Sequence, residues 1–366
     1  MFLPNYEIST RLLNSLIKVE VDLNVLKNIE VASEWQFRLK REALTKRLVS
    51  SLRFEGVEVS SDLASKILID EPGRDEETSE VATRLGITVR ENELQKILNW
   101  LNGQKLVDQI VYLSTKFRQN EIGEKELIQL NRLVGERLVR FEDLGSWRTD
   151  TFVENSLLNH PKAHEVPYQF EDLLNWNRSA TTETIHPILR SVVLVCELLR
   201  IRPFLHNNLQ TVMFFCHLIL GASGYDLAYC SVEEEWYKSK QRLFEIMAHV
   251  DESGKGVEEL MDYMVGGMAV ACEKAKLRVL SATGESVKYK TTSGRAVALT
   301  ERQVALMEEL TIKNQLTIKE LRQVLPLVSD DTILRDLKDL VEKKMIRKRG
   351  KTKGAVYVLG KVKSFR

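Results

Sequence analysis

The stretch Leu199 to Met213, LRIRPFLHNNLQTVM, gathers the residue types that could do chemistry. A mostly apolar, helix-like run, Ile188 to Leu199, leads into a loop opened by Arg202-Pro203-Phe204. A second apolar run, Leu209 to Leu220, leaves that loop and stops at Gly221. A helix, a tight loop and a buried helix can present backbone N–H groups to an anion. His206 is the only imidazole within the loop and the residue there best suited to act as a base. Arg202 stays protonated and cannot take a proton near neutral pH. Imidazole is also a poor ligand for Mg²⁺.

These residues resemble a damaged copy of the active-site motif of the Fic (Fido) family, H-P-F-x-[DE]-G-N-G-R-x-x-R. Pro203, Phe204 and Asn208 match it. Arg202 stands at the histidine position, His206 at the metal-binding carboxylate, Asn207 and Leu209 at the two glycines, and Gln210 and Met213 at the two arginines. The resemblance implies a histidine that deprotonates a target hydroxyl for attack on a nucleotide's α-phosphate, with Mg²⁺ on the carboxylate. Base, metal ligand, phosphate cradle and phosphate clamp are all altered together. The side chains of Asn207 and Leu209 hinder the close backbone approach that glycine allows. A Fic scaffold without Fic chemistry is expected, with no catalytic residues, metal or cofactor, although weak ATP–Mg²⁺ binding stays open. The alternative is a protein adenylyltransferase, or other nucleotide-transfer enzyme, with a non-standard motif.

Further landmarks of the resemblance come in order. Ser51 to Gly56, SLRFEG, is similar to the family's inhibitory motif, [ST]-x-x-x-E-[GN]. There Glu55 would pair with the motif's last arginine, which is Met213 here, and Gly56 also reads as a helix C-cap. Gly145-Ser146-Trp147-Arg148, followed by Phe152-Val153, resembles the entry to a β-hairpin flap that aligns a target by strand addition. Val166-Pro167-Tyr168 would close the flap before a helix from Phe170 to Trp176, and His186-Pro187 would start the helix leading to the loop. His160, His164 and His186 lie outside the motif and read as structural or surface residues.

The elements that must position the loop are mostly helical. Leu12, Leu13, Leu16 and Ile17 recur at helical spacing, and helices are expected from Arg38 to Leu52, Glu91 to Leu101 and Lys125 to Val139. Glu233 to Met247 would supply closing helices. The chain of 366 residues, 43% apolar and 29% charged, is ordinary for a soluble globular protein. Cys196, Cys216, Cys230 and Cys272 lack metal-ligand spacing and read as reduced, buried thiols of a cytoplasmic protein. Neither a signal peptide nor an apolar run of the ~18 residues that span a bilayer is present, so no membrane association is expected.

Charge is uneven. Residues 335–366 hold twelve Lys/Arg against three Asp/Glu, so this stretch carries +9 and the remainder −8. A basic segment of that kind suits a polyanionic partner. Residues 281–296, small and polar, read as a linker. Beyond it come helices at Glu301 to Leu310, Ile318 to Val324 and Asp331 to Lys343, then strand-like Ile346 to Arg349 and Val356 to Leu359. Three helices and a basic hairpin resemble a winged helix–turn–helix module, which implies DNA as partner. Its third helix would bury Ile333, Leu337, Leu340 and Val341 and turn Thr332, Arg335, Lys338 and Asp339 to the groove or its edge. Arg347, Lys348, Arg349, Lys351 and Lys353 would form a phosphate-binding wing.

The expected fold class is therefore mainly α: a Fic-like helical domain with a small β-hairpin flap, plus a C-terminal winged helix–turn–helix domain. The expected division is a helical Fic-associated region (1–112), a Fic-like core (113–280), a linker (281–296) and the winged module (297–366). The function expected is that of a DNA-binding regulator, and a protein partner or homodimer stays open.

Overall fold

The computed structural model describes residues 2–31, 33–117, 122–149, 160–179, 182, 184–250, 256–284, 288–290, 296–313, 315–325, 328–350 and 355–359. The chain divides into two compact units, residues 1–29 with 40–276, and residues 30–39 with 277–366. The flap residues Phe152-Val153 and the cations Lys351 and Lys353 lie outside the described residues.

The first unit is built of helices. α1 (Thr10–Asn28) starts at Ser9, whose hydroxyl accepts the Leu12 N–H. It buries Leu12 and Leu16 while Leu13 and Ile17 face solvent. α2 (Ser33–Phe54) ends in a Schellman turn: Val57 N–H donates to Leu52 C=O and Gly56 N–H to Arg53 C=O. Gly56 takes the left-handed conformation (φ 75°) that this turn needs. α3 (Ser61–Asp70) and α4 (Thr78–Leu85) precede the long α5 (Glu91–Phe117) and α6 (Glu124–Gly135). α7 (Val166–Asn177) already contains Val166-Pro167-Tyr168, so these residues open a helix rather than close a flap. Proline is suited to that first turn because its missing N–H would have no helical partner.

α8 (Pro187–Ile201) and α9 (Asn208–Ala222) flank the loop. Both are apolar on nearly every face, the pattern of helices surrounded by others. α9 packs against α5, α6 and α8. The approach to α5 is close: a Cβ on Gly103 would lie 2.7 Å from the Phe214 ring. The run Glu233 to Met247 divides into α10 (Val232–Lys238) and α11 (Lys240–Met247), and α12 (Val257–Gly284) follows. All four cysteines are buried, with the Cys230 and Cys272 sulfurs 3.8 Å apart.

The stretch read as a linker holds the end of α12, the strand β1 (Lys288–Lys290) and the first residue of β2 (Ala296–Ala298), which pairs with β1. In the second unit, α13 (Glu301–Lys313) leads to β3 (Gln315–Thr317), a strand not expected from the sequence. α14 (Ile318–Val324), capped by Thr317 and Glu320, and α15 (Asp330–Glu342) come next. β4 (Ile346–Arg349) and β5 (Val356–Leu359) complete an antiparallel sheet in the order β3-β5-β4. α15 buries Ile333, Asp336, Leu337 and Leu340. Val341 is exposed, contrary to expectation, and Asp336 takes the buried place because Arg302 on α13 lies 2.7 Å from its carboxylate.

Candidate functional site

The loop between α8 and α9 is fastened from three sides. α8 stops because Arg202 turns left-handed (φ 47°) while its N–H still bonds to Leu198 C=O. A bulky residue rarely adopts that conformation, and such strain clusters at functional sites. Asn208 closes the loop on itself: its Oδ1 accepts the Phe204 N–H at 2.9 Å and its Nδ2 donates to Phe204 C=O at 2.8 Å. Asn207 is also left-handed (φ 58°) and serves as N-cap of α9 without a side-chain hydrogen bond to the first turn.

The 145–148 segment pairs with this loop. Arg148 N–H donates to Pro203 C=O, Leu205 N–H donates to Ser146 C=O, and Trp147 bridges Phe204. The Arg148 guanidinium bonds to the carbonyls of Arg202, Ile201 and Pro161, so it caps the open end of α8. From α6, Asn131 reaches both the loop and the 145–148 segment. Its Nδ2 donates to His206 C=O at 2.9 Å and to Thr211 Oγ1 at 3.1 Å, while its Oδ1 accepts the Gly145 N–H. The sequence alone shows neither role. The one signal for Asn131 is an amide within the apolar stripe Leu127, Leu130, Val134.

Electrostatics around the loop are positive. Burial lowers the Arg148 pKa, and the neighbouring charge of Arg202 lowers it further. Burial also lowers Arg202. His160, whose Nδ1 lies 2.7 Å from Arg200 C=O, is held below its ordinary value by burial and by Arg202, Arg148 and Arg200, against the pull of that carbonyl. Thus His160 does lie beside the loop. His206 is in the loop but its side chain is exposed. Gln210 and Met213 are buried in the first turns of α9, and Leu209 is half-buried. No group of three His, Cys, Asp or Glu suited to a metal occurs among the described residues. His206 supplies no carboxylate, and its backbone carbonyl is already bound by Asn131. The donors at the loop therefore do not fit Mg²⁺.

Ser51 is buried on α2, and Glu55 sits at that helix's end facing Lys96 on α5, Nζ to Oε2 3.8 Å. Burial raises the Glu55 pKa and Lys96 opposes it. Two turns earlier on α2, Arg47 enters a buried network. It donates to Glu233 Oε1 at 3.3 Å and to Gln104 Oε1 at 3.0 Å, and His217 of α9 lies 2.7 Å from the same Glu233 oxygen. Burial alone would raise Glu233, but Arg47 and His217 hold its carboxyl at about 2.

In the second unit, α15 exposes Arg335 and Lys338, and Thr332 is half-buried with its hydroxyl on Ser329. Asp339 is engaged by Lys343 and Gln303. Arg347, Lys348 and Arg349 of β4 are all exposed.

The chain has the fold of Fic proteins. A Fic family protein from Desulfovibrio desulfuricans superposes with a TM-score of 0.63 at 20% identity, over 100% of both chains. A Fic domain containing signaling protein from Bacteroides thetaiotaomicron gives 0.57 at 13% identity, over 76% of this chain and 100% of that one. Fic-1 from C. elegans gives 0.57 at 18%, over 75% and 72%. No family sequence model and no curated protein matches the chain. Among the described residues, no helix is long and apolar enough to cross a membrane.

Proposed function

We propose that this Fic-fold chain is a regulator that performs no nucleotide transfer and binds DNA through a winged helix in residues 297–366. The loop lacks a competent base at the family's histidine position, where Arg202 stands, and Met213 and Gln210 are buried where cations would clamp phosphate. Support for the DNA part comes from element order: helix, strand, two helices and two strands, with the first strand paired to the last. The observation that carries it is the row of exposed cations Arg347, Lys348 and Arg349 on edge strand β4, in the same unit as Arg335 and Lys338. Cations on that edge suit phosphates, and side chains on α15 suit base edges.

The second reading, nucleotide transfer with an unusual base, draws on His160 beside Arg202. One experiment separates the two. The full chain and candidate targets are incubated with labelled nucleotides and Mg²⁺ or Mn²⁺ and analysed by mass spectrometry, while duplex binding is titrated with salt in parallel. The regulator reading expects no label and a salt-dependent affinity. Labelling lost on substitution of His160 or His206 would favour the enzyme.

A further inference from the structure

We propose that Cys230 and Cys272 form a redox-active pair, which a peroxide converts to an intrachain disulfide that fastens the turn before α10 to α12. The Cys230 thiol donates to the Cys272 sulfur at 3.8 Å, and both residues are fully buried. A disulfide holds its sulfurs about 2.05 Å apart, so the two must close by about 1.8 Å, which rotation about the Cα–Cβ bonds can supply. The backbones that carry them are already fastened together. Cys230 ends the turn, its N–H donating to Leu227 C=O. From α10, which starts two residues later, the Trp236 indole N–H donates to Met264 C=O at 3.1 Å. The Tyr263 hydroxyl donates to Trp236 C=O, and Lys274 Nζ lies 2.7 Å from Glu235. Gly267 permits this close approach, since a Cβ there would lie 2.6 Å from the Trp236 ring. A bridge from 230 to 272 therefore adds to an existing interface instead of pulling separate elements together.

A small oxidant has a route towards the pair. A groove of about 410 Å³ is lined by Glu20, Leu23 and Leu26 of α1 and by Tyr225 and Tyr229. Tyr229 directly precedes Cys230, and the charge of Glu20 is felt at Cys272. The neighbouring Cys230, burial and the charges of Asp22 and Glu20 all raise the Cys272 thiol above its ordinary value. Little thiolate is then present near neutral pH, so the pair reacts slowly and answers to sustained oxidant. In the first step one sulfur attacks a peroxide oxygen, the O–O bond breaks, and a sulfenic acid and one water result. The second sulfur attacks the sulfenic sulfur and expels its hydroxyl as a second water. Two thiols thus lose two electrons and two protons, and one peroxide is reduced to two waters. Cys216 is placed differently, since its thiol is hydrogen-bonded with Ser191.

The test incubates the natively folded full chain with hydrogen peroxide, then unfolds it in an alkylating agent and digests it without reductant. Mass spectrometry is expected to find the Cys230 and Cys272 peptides joined and lighter by two hydrogens, with Cys196 and Cys216 alkylated. Dithiothreitol should release the link. The bridged residues are 42 apart in sequence, and closing so long a loop should make the oxidised chain melt a few degrees higher than the reduced one. Cys272→Ala should lose both the link and the shift, whereas Cys196→Ala should keep both. The wild-type peptide map decides the matter even if Cys272→Ala fails to fold. The proposal is overturned if both residues remain alkylatable after peroxide, if each oxidises singly to a sulfinic acid, or if the link forms only in urea. A link from either residue to another cysteine, or between chains, would overturn it as well. A linked chain that melts no higher than the reduced one would overturn the fastening of the turn to α12.

Discussion

The Trp147 and Phe204 rings lie parallel, 1° apart in plane and 5.6 Å between centroids, and their backbones form an antiparallel bridge. One pair thus joins the 145–148 segment to the loop through both backbone and side chain. Phe204 is 1% exposed, so Phe204→Ala should cost about 3–5 kcal/mol. Trp147→Ala should cost less, since Trp147 is half-buried. A double-mutant cycle by urea unfolding should give a coupling of about 0.5–1.5 kcal/mol; additive effects would show that the stacking is incidental.

The buried network should govern acid stability. Glu233 is held at about 2, below the roughly 4.3 of an unfolded carboxyl, so its contribution is present above that value and lost as pH falls towards 2. Burial and Arg47 lower His217, so the unfolded chain takes that proton first, and a further loss begins below about pH 6.5. Glu233→Gln leaves Arg47 buried without its carboxylate and should cost about 3–5 kcal/mol near neutral pH. The variant should also lose the carboxyl-dependent step of the pH–stability curve. Urea unfolding from pH 7 to pH 3 checks both.

Glu55 offers a test of the regulator reading from outside the loop. Its neighbour is Lys96, and the residue at the family's last arginine position is the buried Met213. Glu55→Gly should therefore release no nucleotide transfer, whereas strong labelling by this variant would count for the enzyme. The cost in stability should be small, because the 3.8 Å ion pair is partly solvated and Gly56 still ends the helix.

DNA binding should separate into two kinds of interaction. Removing Arg347, Lys348 and Arg349 together should weaken binding to all duplexes and flatten the plot of log K against log salt, by about 0.9 for each phosphate no longer neutralised. Arg335→Ala or Thr332→Ala should relax sequence preference instead. If wild type shows no salt-dependent affinity for any duplex, residues 297–366 do not bind DNA and the regulator reading falls.

Helices were the most legible part of the fold. The apolar runs flanking Arg202 became α8 and α9, and the segments 346–349 and 356–359 became strands at the expected bounds. β3 was hidden because three residues carry no alternation, and its partner lies some forty residues further on. Val341 was misplaced because helical spacing alone could not show that Asp336 would be buried with Arg302. In the loop, residue identities were legible but their supports were not. Asn131 and Arg148 act through backbone carbonyls distant in sequence, which no local pattern records.

The position of β5 between β3 and β4 has a consequence for synthesis. The central strand is the last of the three to leave the ribosome, so neither neighbour can pair until it emerges. A polypeptide cut short before Val356 would leave two strand edges unsatisfied and strip cover from Leu316 and Ile346, both buried in the finished sheet. Such a fragment is a ready substrate for aggregation or proteolysis, so the strand order itself discriminates against incomplete translation products.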